Sequence, residues 1–136
     1  MKPLLFLLGI FLCLNSTAQV NKEALFIGKS ETDILKGMQS DETFHYLSLN
    51  KESDTSYHLT YSRESVPAFC NFYIEYDTCK AVIFYYPPEQ LPQVIIQLNS
   101  NYKRVDKTTW VDSSLTYTIN MFLDDPKAVR IGFKKM

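Results

Sequence analysis

Glycine is scarce in this chain. Four glycines among 136 residues are too few for the glycine-rich turns that cradle phosphates. Basic clusters are equally thin, the densest being Lys103-Arg104 and Lys134-Lys135. A nucleic-acid surface carries a basic stripe or patch, so nucleic acid is excluded as a partner. No serine stands in the strained, glycine-flanked turn of a hydrolase nucleophile. Past residue 14 there is no long apolar run, and a membrane-spanning helix needs about 20 such residues. A stable membrane span downstream of that point is therefore not expected.

What the chain does have begins at its first residues. Lys2, the apolar run Leu4 to Leu14 and the small residues Ser16-Thr17-Ala18 predict a signal peptide over residues 1–18, cleaved after Ala18. Bulky Leu12 ahead of Cys13 is unlike a lipid-attachment site. The product would be exported, periplasmic or extracellular, and residues 19–136 have the size of a single domain. Losing Lys2 from the 14 basic residues leaves 13 against 15 acidic ones, a formal charge of −2. The one N-glycosylation triplet, Asn15-Ser16-Thr17, leaves with the leader. Nine Tyr, nine Phe and one Trp supply more aromatic surface than a minimal core consumes.

Periodicity sets out the elements. Ser30-Glu31-Thr32-Asp33 follows the capping-box pattern, and Ile34, Leu35 and Met38 then share one helical face. Gly37 keeps this helix short. From Thr43 the period changes to two, first through Phe44 to Leu49 and then, after the polar turn 50–54, through Tyr57, Leu59 and Tyr61. A hairpin follows over 68–76 and 79–86. Leu91, Val94, Ile95, Leu98 and Tyr102 form a helical stripe, with Pro92 in the first turn where it is tolerated. Strands over 103–111, 115–122 and 128–134 close the chain. The expected fold is α+β, an antiparallel sheet of about seven strands with two helices on one face, in the order α-β4-α-β3. A β-sandwich with peripheral helices is the alternative.

The central hairpin carries the functional expectation. With a two-residue turn at 77–78, Tyr76 faces Cys79. One face then holds Cys70, Phe72, Ile74 and Tyr76 opposite Cys79, Ala81, Ile83 and Tyr85. The other holds Phe69, Asn71, Tyr73 and Glu75 opposite Lys80, Val82, Phe84 and Tyr86. That second face is half aromatic, whereas a solvated sheet face reads as mostly polar. Either the protein's own helices or a second sheet cover it, or a partner, a second subunit or a ligand does. Tyr73, Phe84 and Tyr86 would be the centre of such a site and Asn71 part of its rim. The same register sets Cys70 six residues from the partner of Cys79, roughly 20 Å away, so both thiols are expected free and buried rather than bridged.

Other chemistry is sparse. His45 and His58 lie on the first two strands and could approach one another, but a zinc site needs a third ligand that no motif supplies. No cofactor is implied. Asp124-Asp125 ahead of Pro126 is an ordinary turn sequence. Trp110 reads as a core residue unless it shares an exposed face with Tyr73 or Tyr86. Gly28-Lys29-Ser30 leading into Asp33, Ile34 and Leu35 resembles the opening helix of small exported helix-plus-sheet modules of the outer-membrane assembly lipoprotein and β-lactamase-inhibitor types. That resemblance implies a helix-plus-sheet fold and a protein-binding role, and it transfers no binding residues. The expected function is a small exported, non-enzymatic binding module that uses an aromatic sheet face to hold an extracytoplasmic protein or ligand, or a second copy of itself. The competing expectation is a secreted enzyme or metal-binding protein built around His45 and His58.

Overall fold

A computed structural model describes residues 22–136, so the signal-peptide expectation lies outside the described residues. A 3-10 turn, Lys22–Phe26, leads into α1, Glu31–Gln39. Ser30 caps α1, its Oγ accepting from the Asp33 N–H at 3.2 Å, which satisfies one of the free donors at a helix start. Gly37 has a packing role as well as its helix-weakening one. A Cβ there would lie 2.4 Å from Cζ of Phe26, so the missing side chain makes room for that ring. Phe26 in turn meets the ring of Phe72 edge-on at 5.8 Å.

Four strands follow: β1, His45–Lys51; β2, Ser56–Ser62; β3, Phe69–Glu75; and β4, Thr78–Tyr86. A 3-10 turn at Pro88–Gln90 opens into α2, Leu91–Asn101, and four more strands complete the chain. These are β5, Lys103–Arg104; β6, Thr109–Val111; β7, Tyr117–Phe122; and β8, Val129–Lys135. The count is eight, not seven, because the segment 103–111 is itself a hairpin. Arg104 donates to the carbonyls of Asp106 and Lys107, and Asp106 Oδ1 accepts from the Thr108 N–H, which turns the chain between β5 and β6.

All eight strands form one antiparallel sheet in the order β1-β2-β3-β4-β8-β7-β6-β5. It is not a sandwich. Each half of the chain is a helix followed by a four-strand meander, and the halves join where β4 pairs with β8. Ile34 and Met38 of α1 share one buried cluster with Val94 and Leu98 of α2 and with Phe72, Val82, Phe84, Ile119, Ile131 and Phe133 of the sheet. Trp110 is fully buried in that cluster and donates its Nε1–H to Asn99 Oδ1 on α2 at 2.8 Å. A sugar-stacking role for Trp110 is thereby removed.

The central hairpin differs from its expected register. Its turn is Tyr76-Asp77, one residue earlier than expected, with both residues left-handed (φ 49° and 57°) and Glu75 opposite Thr78. Two left-handed central residues are what a type I′ hairpin turn requires. The register then shifts between Ile74↔Cys79 and Tyr73↔Ala81, so Lys80 is an extra residue, a β-bulge. A one-residue offset turns every later side chain to the opposite face. Beyond Lys80, Val82, Phe84 and Tyr86 therefore point into the core with Cys70, Phe72 and Ile74, while Ala81, Ile83 and Tyr85 join Asn71 and Tyr73 outside.

Cys70 and Cys79 are both free and buried on the core face. Cys79 lies opposite Ile74, so four residues rather than six separate the two along the strand, roughly 13 Å. That is still too far for a bridge. Burial pushes the Cys79 thiol up to about 12 and that of Cys70 well above its ordinary value. Neither Cys70 nor Cys79 should react with a chromogenic thiol reagent in the folded protein, and both should react once it is denatured. Reaction of either Cys70 or Cys79 in the folded state would contradict this packing. Replacing Trp110 with Ala should cost about 3–5 kcal/mol in urea unfolding, the range for a buried Trp. Asn99→Ala should cost about 1–3 kcal/mol by leaving the indole N–H buried and unpaired.

Candidate functional site

The sheet face opposite the helices is assembled from three cross-strand rows. The first runs Ser62–Phe69–Tyr85–Arg130–Phe122. The second runs Thr60–Asn71–Ile83–Gly132–Asn120. The third runs His58–Tyr73–Ala81–Lys134–Thr118. The buried helix side chains all belong to the cluster on the other side, so among the described residues neither helix covers this face. Tyr73, Ile83 and Tyr85 are half-buried, while Phe69 and Phe122 are exposed.

The geometry within the face is specific. Asn71 Nδ2 donates to the Tyr85 hydroxyl at 3.3 Å. Burial and a hydrogen bond with Tyr73 push the Tyr85 phenol up to about 12, so it stays protonated at physiological pH. The His58 ring stacks beside Tyr73 at 5.1 Å. The Arg130 guanidinium lies over the Phe122 ring at 5.4 Å and pairs with Asp124. Gly132 is where Phe122 can lie down, since a Cβ there would come within 3.2 Å of its Cε2.

Three polar atoms on this face are buried without a hydrogen-bond partner in the protein: Asn71 Oδ1, His58 Nδ1 and Arg130 Nε. Asn71 is only 7% exposed. Glu52 Oε1 lies 3.6 Å from His58 Nδ1, too long for a hydrogen bond. The one other such atom among the described residues, Asp41 Oδ2, faces Lys22 Nζ at 3.2 Å. Buried polar groups are normally satisfied, and the shortfall is concentrated here.

The expected site residues separate. Asn71 and Tyr73 lie on this face. Phe84 and Tyr86 do not, being 1% and 7% exposed in the core. Their places are taken by Ile83 and Tyr85, joined by Arg130 and Phe122 from the C-terminal half. The alternation of β4 carried the signal for Tyr85; the bulge that assigns it to this face has no glycine or proline to announce it. His45 and His58 share the face but pair with Ser62 and Asn50 respectively, which separates them by four positions along β2, roughly 13 Å. Among the described residues no group of three or more His, Cys, Asp or Glu converges as metal ligands do.

On the helix side, a cleft of about 360 Å³ opens between the first 3-10 turn, the 63–67 loop and α2. Glu23 is buried in its wall, and burial raises its carboxyl above the ordinary range. Arg63 closes one end, donating from Nε to Pro67 O at 2.8 Å and from Nη2 to Val66 O, with its guanidinium 4.6 Å from the Phe44 ring centroid. No family model matches the chain, and no curated protein or solved structure does either.

Glu23 in this cleft and Asp41, which pairs with Lys22 of its lining, should respond oppositely to pH. For Asp41, burial works toward a higher pKa, but hydrogen bonds from the Thr43 hydroxyl and N–H and the charge of the nearby Lys22 ammonium outweigh it and hold the carboxyl at about 2. The stability it contributes is complete above its unfolded pKa and is lost as pH falls through about 2. Glu23, with its pKa raised, contributes stability below its unfolded pKa that is lost as pH rises through the folded one. Asp41→Asn should lower the urea midpoint at pH 7 and converge with the parent chain in strong acid. Glu23→Gln should raise the midpoint at pH 7 relative to the parent and lose that advantage near pH 4.

Proposed function

We propose that this protein is an exported, non-enzymatic binding module whose uncovered sheet face holds an extracytoplasmic protein or ligand. The observation that carries the reading is the coincidence of three unpartnered buried polar atoms with half-buried and exposed aromatic rings on one surface. Rings that bury area while tolerating water suit recognition surfaces. A docked polar group would supply the hydrogen bonds that Asn71 Oδ1 and Arg130 Nε do not make within the protein. The two buried thiols are inert, which supports binding rather than nucleophilic chemistry. Export rests on the leader sequence.

Photo-crosslinking in producing cells tests this directly. A benzophenone amino acid at position 73 should give a discrete adduct, whereas one at position 96 should not, since Ile96 is exposed on α2 across the molecule. Arg130→Ala should weaken that adduct about tenfold, equivalent to about 1.4 kcal/mol. Equal labelling at both positions, or none at 73, would sink the proposal.

A further inference from the structure

Glu23 is a buried carboxyl without a counter-charge. It is 4% exposed, and burial raises its pKa. Buried charges are ordinarily paired or ligate metals. Among the described residues Glu23 makes no ion pair and accepts no side-chain hydrogen bond from another residue. The two cations within its electrostatic reach, Lys22 and Arg63, are engaged elsewhere. Lys22 Nζ pairs with Asp41 Oδ2 at 3.2 Å, and Arg63 gives Nε and Nη2 to the carbonyls of Pro67 and Val66. Glu23→Gln is expected above to stabilise the protein at pH 7, so the carboxyl itself costs the fold stability.

Arg63 and Tyr86 line the same cleft of about 360 Å³ as Glu23, a volume at the small end of ligand sites. Arg63 Nη1 and the Tyr86 hydroxyl make no hydrogen bond to a described residue. Tyr86 lies within reach of the charges of both Arg63 and Glu23, and burial pushes its phenol up to about 12, so the hydroxyl remains a donor. Gln90, Gln93 and Gln97 bring three side-chain amides from α2 and the turn before it. Phe44, Val66 and Pro67 add an apolar part to the lining.

We infer that this cleft binds a free α-amino acid, its ammonium on the Glu23 carboxylate and its carboxylate on the open N–H groups of Arg63. A carboxyl and a guanidinium that share one cleft without pairing are matched by a small ligand carrying both charges, through charge-assisted hydrogen bonds at each end. A lone amine would leave Arg63 without its acceptor, and a lone carboxylate would meet the charge of Glu23. A metal ion would need further ligands beside Glu23, and among the described residues no such group converges. The Tyr86 hydroxyl is placed to donate to the ligand, and the amides of α2 and the apolar lining are left for its side chain. The cleft lies on the helix side of the sheet, so this inference and the reading of the uncovered face do not depend on each other.

Nuclear magnetic resonance titration of the purified protein with each of the protein amino acids in turn should find at least one that binds one-to-one with Kd below about 1 mM. Its N-acetyl derivative, which lacks the ammonium, and its α-amide, which lacks the carboxylate, should each bind about tenfold more weakly or worse. Shifts should centre on Phe44, Tyr86 and Gln93 and spare Tyr73 and Arg130. Glu23→Gln should lose the binding while raising the urea midpoint at pH 7, a combination that a damaged fold cannot produce. Arg63→Gln should erase the preference for the acid over its α-amide and keep the discrimination against the N-acetyl form. Binding by none of the amino acids, equal binding of the N-acetyl derivative, binding retained by Glu23→Gln, or shifts centred on the uncovered sheet face would overturn the inference.

Discussion

The pairing of β4 with β8 is the joint through which every other part of the molecule acquires its place. It brings Val82 opposite Phe133, Phe84 opposite Ile131 and Tyr86 opposite Val129, all six buried. Burying side chains of this size is worth about 1.5–3 kcal/mol each, so the seam between the two helix-plus-meander halves is itself part of the core. On the reverse side the same rungs bring Tyr85 opposite Arg130 and Ile83 opposite Gly132. Neither half alone owns the uncovered face.

Elements with a strong period were legible before the structure was. Ser30 caps where the capping pattern sets it, and Val94 and Leu98 bury the stripe that their spacing implied. A single antiparallel sheet followed from the short polar turns. Legibility failed where one residue decides a face. Lys80 is an ordinary charged side chain, and nothing in its type says that it stands outside the ladder. Tyr76-Asp77 lacks the Asn-Gly signature of its turn class, so the turn was read one residue late. The bulge alone moved Phe84 and Tyr86 from the proposed surface into the core, since the earlier turn shifts the pairing by two residues and keeps every face. Arg104 and Asp106 likewise folded a single expected strand into two, through backbone contacts that no alternating pattern encodes.

Of the candidate site, Asn71 and Tyr73 were reachable because β3 is regular from Phe69 to Tyr73. Arg130 and Phe122 were not, since their presence depends on which strand β8 chooses as a neighbour. That choice is a tertiary fact, settled by the core side of β8 and not by the side on which Arg130 stands. Gly37 was a different kind of omission. Its helix penalty was visible, but the ring of Phe26 that needs the space belongs to a segment eleven residues earlier.

The order of strands also carries a consequence for how the molecule is made. Chain order and sheet order part company after β4, because α2 takes the backbone to the far edge and the second meander returns inward. Of the eight strands, the one that comes last in chain order is therefore inserted at the centre. Until Val129–Lys135 arrives, β4 is an unguarded edge with Phe84 and Tyr86 on its apolar side, and every intermediate of partial length holds two half-sheets without their common wall. Contacts of such wide sequence separation slow folding. A chain made N-terminus first therefore stays competent for misassembly until Val129–Lys135 has joined the sheet.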